Sequence, residues 1–262
     1  MAIISHKVEG VANDVTHYTR IFPVNKKGHA QSELDGQIAS ALTNAFPAEP
    51  SSYNLIGTYS SSQTFTAPED GWYQIELFGR SGAGGAASSR TMTENIQYHI
   101  ASGGGGGGGA YCRSVNVKLN KGDTIVIIID STCTVTINSS TGETYEQMLC
   151  TTGSNGGSAS TASTNATGGT GGAGGTASGG NDANIDGGRG SSGKGTTNVT
   201  RAKTMSGGAG GTAGALGGRV GGTGATIKTV VSGAYLVVSK GSAGGAQAGF
   251  CKIYRGDTNK AA

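Results

Sequence analysis

Aromatic rings, charge, cysteine and proline are all scarce in this chain of 262 residues. Charged residues make up 13% of it and aromatics 6%, the former about half the usual share. Apolar residues reach 35%, short of the usual ~45–50%, so a large enzyme core is not expected. The high net charge that keeps chains of low hydrophobicity disordered is missing too. All four prolines (Pro23, Pro47, Pro50, Pro68) lie in the first 68 residues, which excludes collagen, because that fold needs abundant proline in an unbroken Gly-X-Y period. The cysteines, Cys112, Cys133, Cys150 and Cys251, form no C-x-x-C pair and no dense framework, so reduced, buried thiols are expected. Neither sign of charge is concentrated: 19 basic minus 16 acidic residues leaves +3, and no basic run is denser than Lys26-Lys27. Nucleic-acid binders gather their cations on one face or run, so no nucleic-acid partner is expected. No stretch approaches the ~18 apolar residues of a membrane span. MAIISHKVEG meets His6 and Lys7 before an apolar signal core can form. The expectation is a chain made in the cytoplasm, without membrane insertion.

Glycine is what the chain has in abundance, with 9 of its 50 glycines before residue 103 and 41 from there on. Residues 1–54 are ordinary in glycine. There the stretch 15–24 alternates well enough for a strand that Pro23 would confine to an edge, and Ile38, Ala39, Leu42 and Phe46 predict a helix over 32–46. Residues 55–150 read as β. Pro68-Glu69-Asp70-Gly71 has the chemistry of a tight turn, and after it Tyr73, Ile75 and Leu77 share one face. Val115, Val117 and Leu119 alternate with polar residues, a turn follows at Asn120-Lys121-Gly122-Asp123, and Ile125-Val126-Ile127-Ile128-Ile129 reads as a buried run. From residue 153 glycine dominates, with GGT-GGA-GGT over 168–176 and GGA-GGT over 207–212. Two strand-like segments, 233–238 and 250–254, close the chain and are expected to return to the sheets of the second zone.

A G-G-X triplet suits an extended left-handed helix with three residues per turn, whose amides point outward and whose side-chain-free edges admit neighbours. Glycine loses the most entropy on folding, so only dense hydrogen bonding between such helices, anchored on a β scaffold, would hold them. The expected fold is therefore mainly β: an antiparallel β-sandwich carrying a bundle of glycine-rich extended (polyglycine II-like) helices, with a short N-terminal anchoring segment. The expected division is 1–54 as anchor, 55–256 as the glycine-rich β domain with its lattice over about 153–232, and 257–262 as a tail.

Several tempting motifs fail on their chemistry. Gly188-Arg189-Gly190-Ser191-Ser192-Gly193 spells G-x-G-x-x-G, but no strand precedes it and this glycine density produces such matches by chance. A P-loop would need Ser or Thr after Lys194, where Gly195 stands. Asn181-Asp182 after two glycines echoes a calcium-binding nonapeptide but has no second copy. His6, His17, His29 and His99 are irregularly spaced and favour no metal site. The carboxylates Glu69, Asp70 and Glu76 would permit acid–base cleavage in principle, but the first two are better explained by a turn. No enzyme activity, cofactor or metal is expected.

The stretch FTAPEDGWYQIELFG at 65–79, the following SGAGG, the phrase VKLNKGDTI at 117–125 and the closing AGFCKIY at 248–254 resemble, in that order, the glycine-rich domains of bacteriophage appendage proteins. Similar polyglycine lattices occur in tail-fibre tip adhesins of T-even-like phages and in receptors of the anaplastic lymphoma kinase type; the receptor likeness is disfavoured by the missing signal, span and kinase. The resemblance implies a virion surface protein serving host attachment, or, alternatively, a capsid-decorating or head-fibre protein. It implies that residues 1–54 meet other virion proteins, that the chain forms a homo-oligomer, as a trimer, and that a host-surface glycan or protein is the partner. Seven basic against two acidic residues lie between Gly153 and Gly249. Stretches 151–167 and 182–204 are the expected exposed loops, with Arg189, Lys194, Arg201, Lys203 and Arg219 as receptor-contact candidates.

Overall fold

The computed structural model describes residues 50–93 and 96–257, with the backbone alone at 145 and 146. All belong to the second of two units, Glu49–Ala262, into which the chain divides. The helix expected over 32–46 and the strand over 15–24 lie outside the described residues. Among the described residues there is no helix, and the architecture is mainly β.

The chain passes back and forth between two sets of strands. It begins with β1 (Tyr53–Tyr59), β2 (Gln63–Thr66) and β3 (Gly71–Phe78), leaves through glycines, makes β4 (Ser88–Thr93) and β5 (Gln97–Ala101), and returns through the seven glycines of 103–109. Next come β6 (Tyr111–Leu119), β7 (Thr124–Ile128), β8 (Thr132–Asn138) and β9 (Thr144–Thr151). A second excursion makes β10 (Ser160–Thr161) and β11 (Ala166–Thr167), and comes back to β12 (Ala177–Ser178) and β13 (Ala183–Ile185). The third makes β14 (Gly195–Val199) and β15 (Lys203–Met205); the fourth makes β16 (Ile227–Ser232) and β17 (Tyr235–Lys240); the chain then ends in β18 (Phe250–Gly256).

The home strands form two antiparallel five-stranded sheets, β1-β18-β3-β6-β13 and β12-β9-β8-β7-β2. Their facing side chains make one core, in which Tyr73, Ile75, Leu77, Leu119, Ile125, Val135, Ile137, Met148 and Ile253 are buried together with all four cysteines. We call this sandwich the base. The second expected turn is present, and at the first the chain bends over 68–70. Asp123 donates its N–H to the Asn120 carbonyl at 3.0 Å, and Gly122 takes the positive φ (93°) that favours glycine.

Three strand readings change. In β7, Ile125 and Ile127 are buried while Ile128 is 45% exposed, so the run alternates instead of being buried throughout. In β6, Asn116 adopts φ 53°, and the register with β3 slips between Tyr73 and Ile75. This bulge places Ser114 in the core and leaves Val115 half-buried. β18 returns to the base as expected, whereas β17 pairs with β16 in a separate three-stranded sheet.

Between base and excursion strands runs an ordered network of backbone bonds. Gly103, Gly106 and Gly109 donate to the carbonyls of Ala225, Gly222 and Arg219; Gly104 and Gly107 to Gly157 and Ser154; Gly105 and Gly108 to Ser191 and Gly188. In return the carbonyls of 102–109 accept from three further segments: Gly169, Gly172 and Gly175; Gly208, Gly211 and Gly214; Gly85 and Gly82. The seven-glycine run thus has six bonded neighbours, each met every third residue. The neighbours also bond to one another around it, from Gly153 to Arg80, Gly157 to Thr170, Gly190 to Gly172, Ser191 to Ala209, Gly221 to Gly211 and Gly222 to Gly82. This network reaches past the expected 153–232 to include 79–85, 102–109 and Gly244.

Candidate functional site at the excursion end

The excursion strands gather into a small body of their own, the tip. Its sheets are β14-β5-β4, β10-β11 and β15-β16-β17. Its core is Tyr98, Ile100, Val199, Met205, Ile227 and Leu236, one or two apolar residues from each longer strand. Polar clamps do the rest. Buried His99 has one ring nitrogen 2.8 Å from the Ala162 carbonyl and the other 3.2 Å from Asn198 Oδ1, tying β5 to the β10–β11 turn and to β14. Tyr98 donates its hydroxyl to the Leu236 carbonyl at 3.0 Å. Ser88 Oγ lies 2.9 Å from Thr161 Oγ1.

On this support cations point outward. The hydroxyl of Thr229, fully buried, receives the Lys203 N–H at 2.9 Å and lies 3.0 Å from the Arg201 carbonyl. That pins the turn entering β15, so Arg201 and Lys203 project from it. Lys203 Nζ reaches Thr196 Oγ1 at 3.2 Å. Lys228 lies on the outer face of β16, opposite Thr204 and Ser239, and Lys240 ends β17. Arg90 stands on β4, and Lys194 leads into β14; all six side chains are exposed. The tip segments 87–101, 159–167, 194–206 and 226–240 contain these six basic residues and one acid, Glu94, which lies outside the described residues. Beside the cations, Val231, Tyr235 and Val237 are exposed on the β16–β17 hairpin.

The five sequence-derived contact candidates do not form one cluster. Lys194 accepts from the N–H of Ser102 at one end of the seven-glycine run, while Arg219 accepts from Gly109 at the other. Lys194, Arg201 and Lys203 therefore belong to the tip, and Arg219 to the base end. There its guanidinium lies 4.5 Å from the Phe250 ring centroid, and Nε donates to the Ala248 carbonyl at 2.6 Å. Arg189 is exposed on the flank, next to the Gly188 carbonyl that Gly108 uses. Arg90, Lys228 and Lys240 were not among the candidates; Arg90 joins the tip because β4 pairs with β5, and β5 with β14. Nor are 151–167 and 182–204 simple loops, since Gly153, Gly156, Gly190 and Gly193 lie inside the bonded network.

A second feature lies on the outer face of the base, a concavity of about 410 Å³. Cross-strand registers stack two rows there, Phe250–Phe78–Tyr111–Ile185 and Lys252–Glu76–Arg113–Ala183. Phe78 and Phe250 stack at 4.2 Å. Glu76 accepts hydroxyl bonds from Tyr111 at 2.9 Å and Tyr254 at 2.7 Å. Burial first, and then these bonds, push both phenols well above their ordinary range. Glu76 is the one carboxylate lining the concavity; Asp182 nearby pairs with Arg113. Of the other acids considered for cleavage, Glu69 pairs with Arg255 and Asp70 accepts the Lys121 N–H, so both hold turns. Among the described residues, no three His, Cys, Asp or Glu side chains converge to hold a metal ion. No family model matches the chain, and no curated protein matches its sequence.

Proposed function

We propose that the glycine segments are extended left-handed helices packed as a polyglycine lattice, and that the chain is a non-enzymatic surface protein of a bacteriophage virion, attaching to the host through its basic tip. The observation that carries this reading is the threefold period of the bonds around residues 103–109. A helix of three residues per turn returns each donor to the same neighbour at that interval. Seven residues at ~3.1 Å each hold the tip about 22 Å from the base on an element with no flexible joint.

The virion assignment draws on the resemblance described above. Three of its four stretches fall on β2–β3, on β6–β7 and on β18, all in the base; the fourth, 81–85, lies in the bonded network, and none falls on a tip hairpin. A resembling base that presents a separate body of hairpins suits recognition. The excess of tip cations selects an anionic partner, a sulfated, phosphorylated or uronic host glycan, by steering and by charge pairing. Residues 1–54 would hold the protein, as a homotrimer, to the particle. Capsid decoration is the second reading, favoured by the tip's exposing a single aromatic, Tyr235, among its described residues, where glycan sites usually offer several.

Gold-labelled antibody against residues 159–167 on intact particles separates the two, marking fibre or tail ends for attachment and the shell for decoration. The full chain is also expected to bind dextran sulfate and not dextran, with affinity falling as salt rises. Lys203→Glu with Lys228→Glu should weaken that binding by about tenfold or more. Equal binding of both polymers by the parent chain would overturn the anionic-partner reading.

A further inference from the structure

All four cysteines of the chain are buried in the base core, although they come from four different strands. Cys112 lies on β6 of one sheet and Cys150 on β9 of the other, both fully buried, with their sulfurs 3.1 Å apart. We propose that this pair is a built-in site for an inter-sheet disulfide, closed under oxidising conditions. This rests on the core geometry alone and is independent of the attachment reading.

Partner choice follows from the sulfur contacts. The Cys150 thiol lies 3.1 Å from the Cys112 sulfur and 3.3 Å from the Leu77 carbonyl. Cys133 stands opposite Cys150 in the β8–β9 register, but its S–H is directed to the Asp130 carbonyl at 3.7 Å. Cys251 opposes Leu77, with its S–H on the Lys252 carbonyl. A disulfide needs ~2.05 Å between sulfurs, so the Cys112–Cys150 pair closes with a movement of about 1 Å. A four-thiol metal site is not formed, since no three of the described ligating groups converge. The bond from Cys150 holds the Cys112 thiol below its ordinary range. The bond to Cys112 and then burial hold the Cys150 thiol far above its ordinary range, and Cys112 also faces the Leu149 and Ser178 carbonyls.

The co-reactant is a small peroxide, able to reach a buried sulfur during brief opening. One thiol attacks the peroxide O–O bond, giving a sulfenic acid and one water. The second sulfur then displaces that hydroxyl, forming the S–S bond and releasing a second water. Two thiols are oxidised by two electrons in all, and one peroxide is reduced.

The test treats the full chain with hydrogen peroxide, quenches in acid, alkylates under denaturing conditions and maps peptides. Alkylatable thiols should fall from four to two, the mass by ~2 Da, with the cross-linked peptides carrying Cys112 and Cys150. Dithiothreitol should reverse both changes. The melting temperature should rise by about 5–10 °C, because the unfolded chain is constrained. In Cys133→Ala the same link should still form. Four thiols persisting after prolonged treatment, sulfinic acids without a link, or a Cys133–Cys150 link would each overturn the assignment.

Discussion

At the scale of single residues, the absence of a side chain is the stabilising feature. A Cβ at any position from Gly103 to Gly109 would fall 1.8–2.3 Å from a neighbouring carbonyl oxygen, which no side-chain rotation relieves because the obstacle is backbone. Replacing Gly107, whose Cβ would meet the Ala173 carbonyl at 1.8 Å, forces two segments apart and breaks their hydrogen bonds. Gly107→Ala should therefore lower stability by more than about 3 kcal/mol or prevent folding. Gly245 is exposed, with nothing within 4 Å of its would-be Cβ. Gly245→Ala should leave stability unchanged or raise it by ~0.4–1 kcal/mol through the unfolded chain. Urea midpoints of the two variants test this contrast; a Gly107→Ala protein as stable as the parent would mean the close approaches are not required.

Strands and turns follow rules of their own, some visible in the sequence and some not. The bend over 68–70 and the turn at Asn120–Asp123 are legible because proline and glycine dictate local dihedrals. The inward set Tyr73, Ile75 and Leu77 is legible because these residues alternate with Trp72, Gln74 and Glu76, which are only half-buried. The run 125–129 misleads, since five apolar residues hide a period of two that only the covering sheet reveals. That contrast is measurable. Ile127→Ala should cost ~2–5 kcal/mol, as truncation of a buried residue does, whereas Ile128→Ala should stay within ~0.5 kcal/mol. Equal losses in thermal unfolding would mean both faces of β7 are buried. The bulge at Asn116 is not legible, because asparagine is at home in strand ends, turns and left-handed backbone alike. Its partner decides the matter: the Tyr53 hydroxyl donates to Asn116 Oδ1 at 2.5 Å and accepts the Asn116 N–H at 3.0 Å.

At the largest scale, among the described residues, apolar clusters stand at either end of a region with almost no side chains. That middle is held by main-chain bonds whose donors lie far apart in sequence, so it forms only together with its neighbours. Amide exchange in the full chain should therefore be slow, on the order of a thousandfold below the unstructured rate, in peptides covering 103–109, 168–176 and 207–214. Rapid exchange there beside protected base strands would reduce the middle to a set of tethers. The sequence by itself determined that the chain is β-rich, that its glycines repeat in triplets and that no dense charge run exists, because composition and local periodicity are properties of neighbours along the chain. Of the five contact candidates it offered, Lys194, Arg201 and Lys203 fall in the tip, while Arg189 and Arg219 do not. The tertiary structure alone decided that residues 103–109 are the centre of the network, that Arg219 is held at the base, that Arg90, Lys228 and Lys240 join the tip, and that two of four scattered cysteines meet. Each of these depends on which distant segment accepts a given N–H, and a glycine run carries no side chain to announce its partner.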